Sequence, residues 1–430
     1  MRINVKIKAI FIIIYILGLI FVTSDTSLCN ITEADSKVEK QYLYGDDYEK
    51  YSGEKILLSN QHSNISGLFG NLKLTSIIIQ PTTDFIINQI DHKGLYDTFR
   101  SSKQWVFKNA TLEEIQLLFR SAGLDNGKCN QLLLNTSVAS NGKEYITTPG
   151  DSFFWNLAPE IRAKLYPMIG NYSDNPMYSQ PLYFESDTAE EWFYNSGLTN
   201  EVKDKLISLT YVANGISYIS DVHLILPYLS ESERIKFLKI AYRTKSMDIM
   251  LQINEGQNVS DIAKYWGSLG RISNIESILD ELSNKPGGGE INIDELLPSI
   301  PQKRVNTYCG AYEYETDYKD CHWTTINFFN NSADERYYDL PDLTIFINEI
   351  SKPLKRDSQL KFGDIICIFD KNNELIHSCI YIADNLTYTK NGMGNLNPFV
   401  ISYLDKTISI YGEKSVYLSR TIANTLSAKL

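Results

Sequence analysis

A thiol lies between an acid and an imidazole in Asp320-Cys321-His322, and Ile326 and Phe329 follow at the spacing of one helical face. That pattern predicts a short amphipathic helix with Cys321 in its first turn. Unpaired backbone N–H groups at a helix start favour thiolate over thiol, and the thiolate is the nucleophile. Cysteine catalysis also needs a base within hydrogen-bond reach and a polar group that orients the base. His322 and His377 are the histidines of the last third of the chain. Neighbours on a helix point about 100° apart, so His322 is expected to face away from Cys321. His377 opens a strand in which Cys379 and Tyr381 share its face. A hairpin packed across the helix start would bring His377 to Cys321.

The elements that must position these groups can be read on either side of them. Residues 360–369 form a hydrophobic strand introduced by Gly363-Asp364, Asp370-Lys-Asn-Asn-Glu374 a turn, and residues 376–382 a second strand. A third strand is expected at 386–389, with two more near 399–403 and 416–418. An acidic loop (334–342) and a helix (343–350) separate the cysteine helix from the hairpin. A cysteine-bearing helix followed by a small antiparallel sheet predicts an α+β domain over residues 305–430.

In this order the motifs resemble the NlpC/P60 family of papain-like cysteine peptidases and amidases. The matching pieces are Asp320-Cys321, Gly363-Asp364-Ile365-Ile366 and His377-Ser378-Cys379-Ile380-Tyr381, preceded by Tyr308-Cys309-Gly310. The resemblance covers roughly the last 125 residues and implies a papain-like fold. It implies Cys321 as nucleophile, His377 as base, and Tyr308 and Asp320 as support for substrate and thiolate. The third polar residue would fall on the next strand, where the simplest register gives Thr389. Asn391 has the better chemistry, since an amide oxygen can accept the imidazole N–H, and it is the assignment made here. The family's Ser-Gly after the cysteine is replaced by His322-Trp323. The implied reaction is hydrolysis of a peptide or peptidoglycan-like amide through a thioester, without metal or organic cofactor. Acyl transfer is the alternative of the same chemistry.

Upstream the pattern changes. Residues 1–24 combine Arg2, Lys6 and Lys8 with an apolar run of 14 residues from Ala9 to Val22. That run is short for a bilayer span of about 20 residues and fits a signal peptide, so export or an envelope location is expected. A lipid anchor on Cys29 is disfavoured by Leu28, and no stable membrane insertion is expected after cleavage. Residues 25–94 read as a polar arm with short strands, the β-branched run 72–80 ending at Pro81. Residues 95–283 read as a helical domain. Thr111-Leu-Glu-Glu114, Thr188-Ala-Glu-Glu191 and Ser230-Glu-Ser-Glu233 each have capping-box form ahead of apolar residues. Lys285-Pro286-Gly287-Gly288-Gly289 marks a linker over 284–304; with no Gly-Lys-Ser/Thr it does not read as a phosphate loop. The predicted whole is thus a mostly α-helical N-terminal domain followed by an α+β papain-like domain.

A formal net charge of −11 leaves no electrostatic footprint for nucleic acid or anionic lipid. Six scattered cysteines without CxxC spacing support neither a disulfide framework nor a zinc site, although a Cys309–Cys321 bridge would abolish the nucleophile. Buried small hydrophobes are the simplest reading of Cys129, Cys367 and Cys379. Trp105, Trp155, Trp192 and Trp266 read as core anchors, and His62, His92 and His223 as isolated side chains. Two functions stand: an exported cysteine hydrolase, or a binding or scaffold protein whose papain-like domain has lost activity.

Overall fold

The strand Gly70–Gln80 carries Leu72, Leu74 and the run Ile77-Ile78-Ile79, all buried. β-branched side chains suit such a strand, and Pro81 ends it by removing a ladder donor. Its partners are Glu54–Gly67 on one side and Thr244–Ile253 on the other, both antiparallel. Gly289–Asn292 completes a four-stranded sheet beside Thr244–Ile253. The computed structural model describes residues 50–89, 92–268, 270–309, 319–334, 343–355, 358–392, 394–411 and 415–421. The expected signal peptide, Cys29, and most of the acidic loop lie outside them.

This sheet overturns the expected order of a helical N-terminal domain followed by a papain-like domain with a small sheet. Thr244–Ile253 is a ten-residue strand in the part read as helical. Three-stranded sheets at 105–147 and 182–219 lie in the same part, between short helices. The physical reason is in the strand's burial: Thr244 and Ser246 are buried on one face and Met247, Ile249, Leu251 and Ile253 on the other, while Lys245, Asp248, Met250 and Gln252 are not buried. The buried face changes at Ser246–Met247, and the two buried positions before the change are polar, which hides the period of two.

Two apolar cores share the four-stranded sheet. Ile77, Ile78 and Ile79 belong to the first, with Trp105, Phe119, Phe154 and Trp192 from the helices and small sheets. Leu72, Leu74, Ile249 and Leu251 belong to the second, with Trp266, Trp323, Ile365, Ile380 and Phe399. Trp266 Nε1 donates to Phe69 O and the Tyr265 hydroxyl to Ile382 O, so the second core joins the sheet to the C-terminal part. The stretch 284–304 is folded into it. Gly289–Asn292 is a strand, and Ile293, Leu296, Leu297 and Ile300 are core residues.

The C-terminal sheet has six strands in the order Ser351–Pro353, Ser415–Thr421, Ile365–Phe369, Leu375–Ala383, Leu386–Lys390, Phe399–Tyr403. Ile365–Phe369 and Leu375–Ala383 form the expected hairpin, with Ile368 opposite His377. Asn373 at φ 61° makes its turn, and Asp384 at φ 49° makes the next. The helix Cys321–Ile326 packs against the strands Leu375–Ala383 and Leu386–Lys390. Leu404–Tyr411, absent from the sequence reading, is a helix leading away from the last of these strands. Among the described residues no helix is long and apolar enough to cross a membrane.

Candidate active site around Cys321 and His377

Cys321 is the first residue of its helix. Asp320 caps that helix, its Oδ1 accepting from Trp323 N at 2.8 Å. Thr324 and Thr325 turn their hydroxyls back onto the carbonyls of Asp320 and Cys321. The helix is only six residues long and buried throughout. Burial is the largest influence on the thiol and pushes its pKa well up. The adjacent Asp320 carboxylate pushes the same way; the N–H groups of Ser378 and His322 and the Lys390 ammonium oppose both without prevailing. The expectation that a helix start would yield a ready thiolate is therefore corrected: desolvation and a neighbouring carboxylate outweigh two N–H groups and a lysine. Cys321 and Cys309 are both free thiols.

His377 is fully buried on the strand beneath this helix. Its Nε2 lies 3.0 Å from Thr389 Oγ1, and the Thr389 hydroxyl donates to Asn391 Oδ1 at 3.2 Å. Thr389 thus takes the position beside the imidazole, and Asn391 acts one step further out. Burial holds the imidazole pKa well below its ordinary value, and the proximity of His322 adds to this. The Nδ1 atom is buried without a hydrogen-bond partner among the described residues, so no Cys321–His377 hydrogen bond is formed. Tyr411, half-buried, stacks on the imidazole with ring centroids 4.2 Å apart. Burial raises the Tyr411 hydroxyl pKa, and an ionised Cys321 would raise it further, which puts the ring in reach of both proposed catalytic groups.

Other expected residues are placed differently. The Tyr308 hydroxyl donates to the carbonyls of Ile79 and Tyr242, and its ring packs on Phe85, so it does not serve the thiol. Asp320 is a helix cap whose charge opposes the thiolate it was expected to support. His322, expected to face away from Cys321, has a ring nitrogen within 4.8 Å of the Cys321 sulfur, and its Nδ1 lies 2.9 Å from Ser378 Oγ, which donates to Thr325 Oγ1.

Two residues absent from the motifs complete the surroundings. Glu185, at the end of the strand Leu182–Phe184, is buried and accepts from Lys245 N at 3.1 Å through Oε2. Burial raises its pKa to about 7, against the pull of the Lys245 N–H and of the Asn391 amide. An acid directly after the apolar run Leu182-Tyr183-Phe184 was the available signal. Lys390 is buried and donates to the carbonyls of Gly392 and Gly394 at 3.0 and 2.7 Å.

Asp320, Cys321 and His322 offer one ligand atom each within 4.8 Å of one another. The helix cap occupies Asp320 Oδ1, and Ser378 occupies His322 Nδ1, so the trio is committed to protein contacts. No known family's model matches this chain, and no curated protein or solved structure matches it.

Proposed function

We propose that the protein is a cysteine hydrolase of amide bonds in peptide or peptidoglycan-like substrates, acting outside the cell or in its envelope, and held here with its site closed. The observation that carries this reading is the directional wiring of His377. Its Nε2 is engaged by Thr389, itself tied to Asn391, while Nδ1 is buried with no hydrogen-bond partner among the described residues. An imidazole anchored through one nitrogen and bare at the other is arranged as a base. Cys321 sits on the element packed against its strand, and its sulfur is close to the Ser378 N–H next to His377 in the chain.

In the reaction, His377 Nδ1 takes the proton from the Cys321 thiol and the sulfur adds to the substrate carbonyl. Backbone N–H at the helix start faces the developing oxyanion. Collapse breaks the C–N bond, and the imidazolium returns the proton to the leaving amine. A water molecule, deprotonated by the same nitrogen, then cleaves the thioester and regenerates the thiol. With an amine or alcohol in place of water, the second half becomes acyl transfer.

The test is turnover of peptidoglycan fragments and model peptides by the full chain and by Cys321→Ala and His377→Ala. Release of new amine termini is expected from the parent alone; equal turnover in Cys321→Ala would rule out the nucleophile. A second reading, a binding or scaffold protein, is favoured by the closed site and raised thiol pKa, and predicts no turnover from any of the three.

A further inference from the structure

We propose that the carboxylate of Glu185 sets the tautomer of His377, acting through the Asn391 amide and the Thr389 hydroxyl. Glu185 would be a positioning residue contributed from far outside the cysteine-bearing segment. Its consequence for catalysis rests on the function proposed above, but its geometry does not.

Two buried atoms carry the inference. Among the described residues, Glu185 Oε1 and Asn391 Nδ2 each lack a partner at hydrogen-bond distance. The Asn391 amide is nevertheless near enough to the Glu185 carboxyl to pull its pKa down against burial. The orphans are complementary, since an ionised carboxylate only accepts and an amide NH2 only donates. Facing the carboxylate, Asn391 turns its NH2 outward and keeps Oδ1 for Thr389. The single Thr389 proton goes to that oxygen. Thr389 Oγ1 can then only accept from the imidazole, which places the proton on Nε2 and leaves Nδ1 bare. Each link has one donor direction, so the sign at one end fixes the sign at the other.

Glu185 lines a cavity of about 280 Å³ together with Lys245, Ser246, Ser402 and Lys406. Lys245 Nζ is paired with Glu191 at 2.7 Å, and Lys406 Nζ donates to Gly215 O, so neither ammonium is held by Glu185.

Glu185→Gln reverses the sequence of donors. The Lys245 N–H claims the new amide oxygen, so the new NH2 faces Asn391. The Asn391 amide then turns over and donates to Thr389, the Thr389 proton swings to Nε2, and the imidazole proton moves to Nδ1.

The experiment is long-range proton–nitrogen correlation NMR of full-length protein labelled with 15N-histidine, at pH 9. With five histidines in the chain, His377 is assigned by the signal lost in His377→Gln. The parent is expected to show an Nε2–H ring with an unprotonated Nδ1, and Glu185→Gln the two resonances exchanged. Adding Asn391→Leu is expected to abolish the effect of Glu185→Gln. An Nδ1–H ring in the parent overturns the proposal, whether or not the variants fold. An unchanged tautomer in folded Glu185→Gln overturns it as well. Exchange of the tautomer in a protein that never cleaves substrate supports the proposal and takes down the hydrolase reading alone.

Discussion

Access to the imidazole turns on Tyr411. His377 is fully buried, whereas Tyr411 keeps solvent contact and stacks on it. Burial is the main cause of both the low imidazole pKa and the high thiol pKa, so removing the ring should relax both together. Tyr411→Ala is expected to cost about 1 kcal/mol of stacking and to speed iodoacetamide labelling of Cys321 at pH 7.5 at least about tenfold, a difference of about 1.4 kcal/mol in barrier. Cys367 and Cys379 are internal controls, since both are buried strand thiols whose pKa is raised by burial. Peptide mass spectrometry reads all three sites in one sample. Labelling of Cys321 that stays as slow as that of Cys367 would mean the closure is deeper than one ring.

At the scale of elements, the Gly-rich stretch separates a linker from a structured turn. Gly288 has φ 77°, and its N–H donates to Lys285 O. A Cβ there would lie 2.1 Å from Ile253 O, at the end of the strand Thr244–Ile253. Gly287 also has positive φ, at 81°, but a Cβ there meets nothing within 4 Å. Gly287→Ala should therefore cost only the left-handed penalty of about 1 kcal/mol, and Gly288→Ala at least about 2 kcal/mol more, because backbone must move. Urea unfolding of the two variants checks this; equal, negligible losses would return the stretch to the status of a linker. The same scale shows what the sequence could and could not disclose. Thr111 and Ser230 form complete capping boxes, each with the reciprocal glutamate bond. Thr188-Ala-Glu-Glu191 has the same form but yields a four-residue helix without a side-chain cap. There Glu191 is drawn to Ser186 Oγ and Lys245 Nζ, contacts that only the fold creates. The hairpin at Ile365–Phe369 and Leu375–Ala383 was legible because its signals are local, and so was the cysteine helix; the simplest register pointed to Thr389 beside His377, but Asn391 was assigned there for its chemistry. Glu185 and Tyr411 reach the site across more than a hundred residues and across a helix end respectively, and no spacing rule connects them to Cys321.

For the whole molecule, buried titratable groups make stability depend on pH in two opposed directions. Glu185 and Asp221 are carboxyls raised by burial, to about 7 and about 6. Each folds more readily when protonated, so its contribution is complete below the unfolded pKa and is lost as pH rises through the folded value. His223 is lowered by burial to about 3, so its contribution is complete above its unfolded pKa and is lost as pH falls. The two tendencies overlap between about pH 4 and 7 and partly cancel. Asp221 cannot be neutralised cleanly, because it pairs with buried Arg162 at 3.4 Å and accepts from Tyr166 and Tyr178. Asp221→Ala should cost about 3–5 kcal/mol by stranding that guanidinium. Glu185 has no such partner, and Glu185→Gln keeps an acceptor for the Lys245 N–H, so it isolates one term. Raising a carboxyl from 4.5 to about 7 corresponds to on the order of 3 kcal/mol of instability once the group is ionised. Glu185→Gln is thus expected to exceed the parent in stability by up to about 3 kcal/mol at pH 8.5, the gain shrinking below about 1 kcal/mol by pH 5. Urea titrations at the two pH values measure it. A gain that does not change with pH would mean that the Glu185 carboxyl titrates normally and is not the closed, desolvated group at the end of the His377 chain.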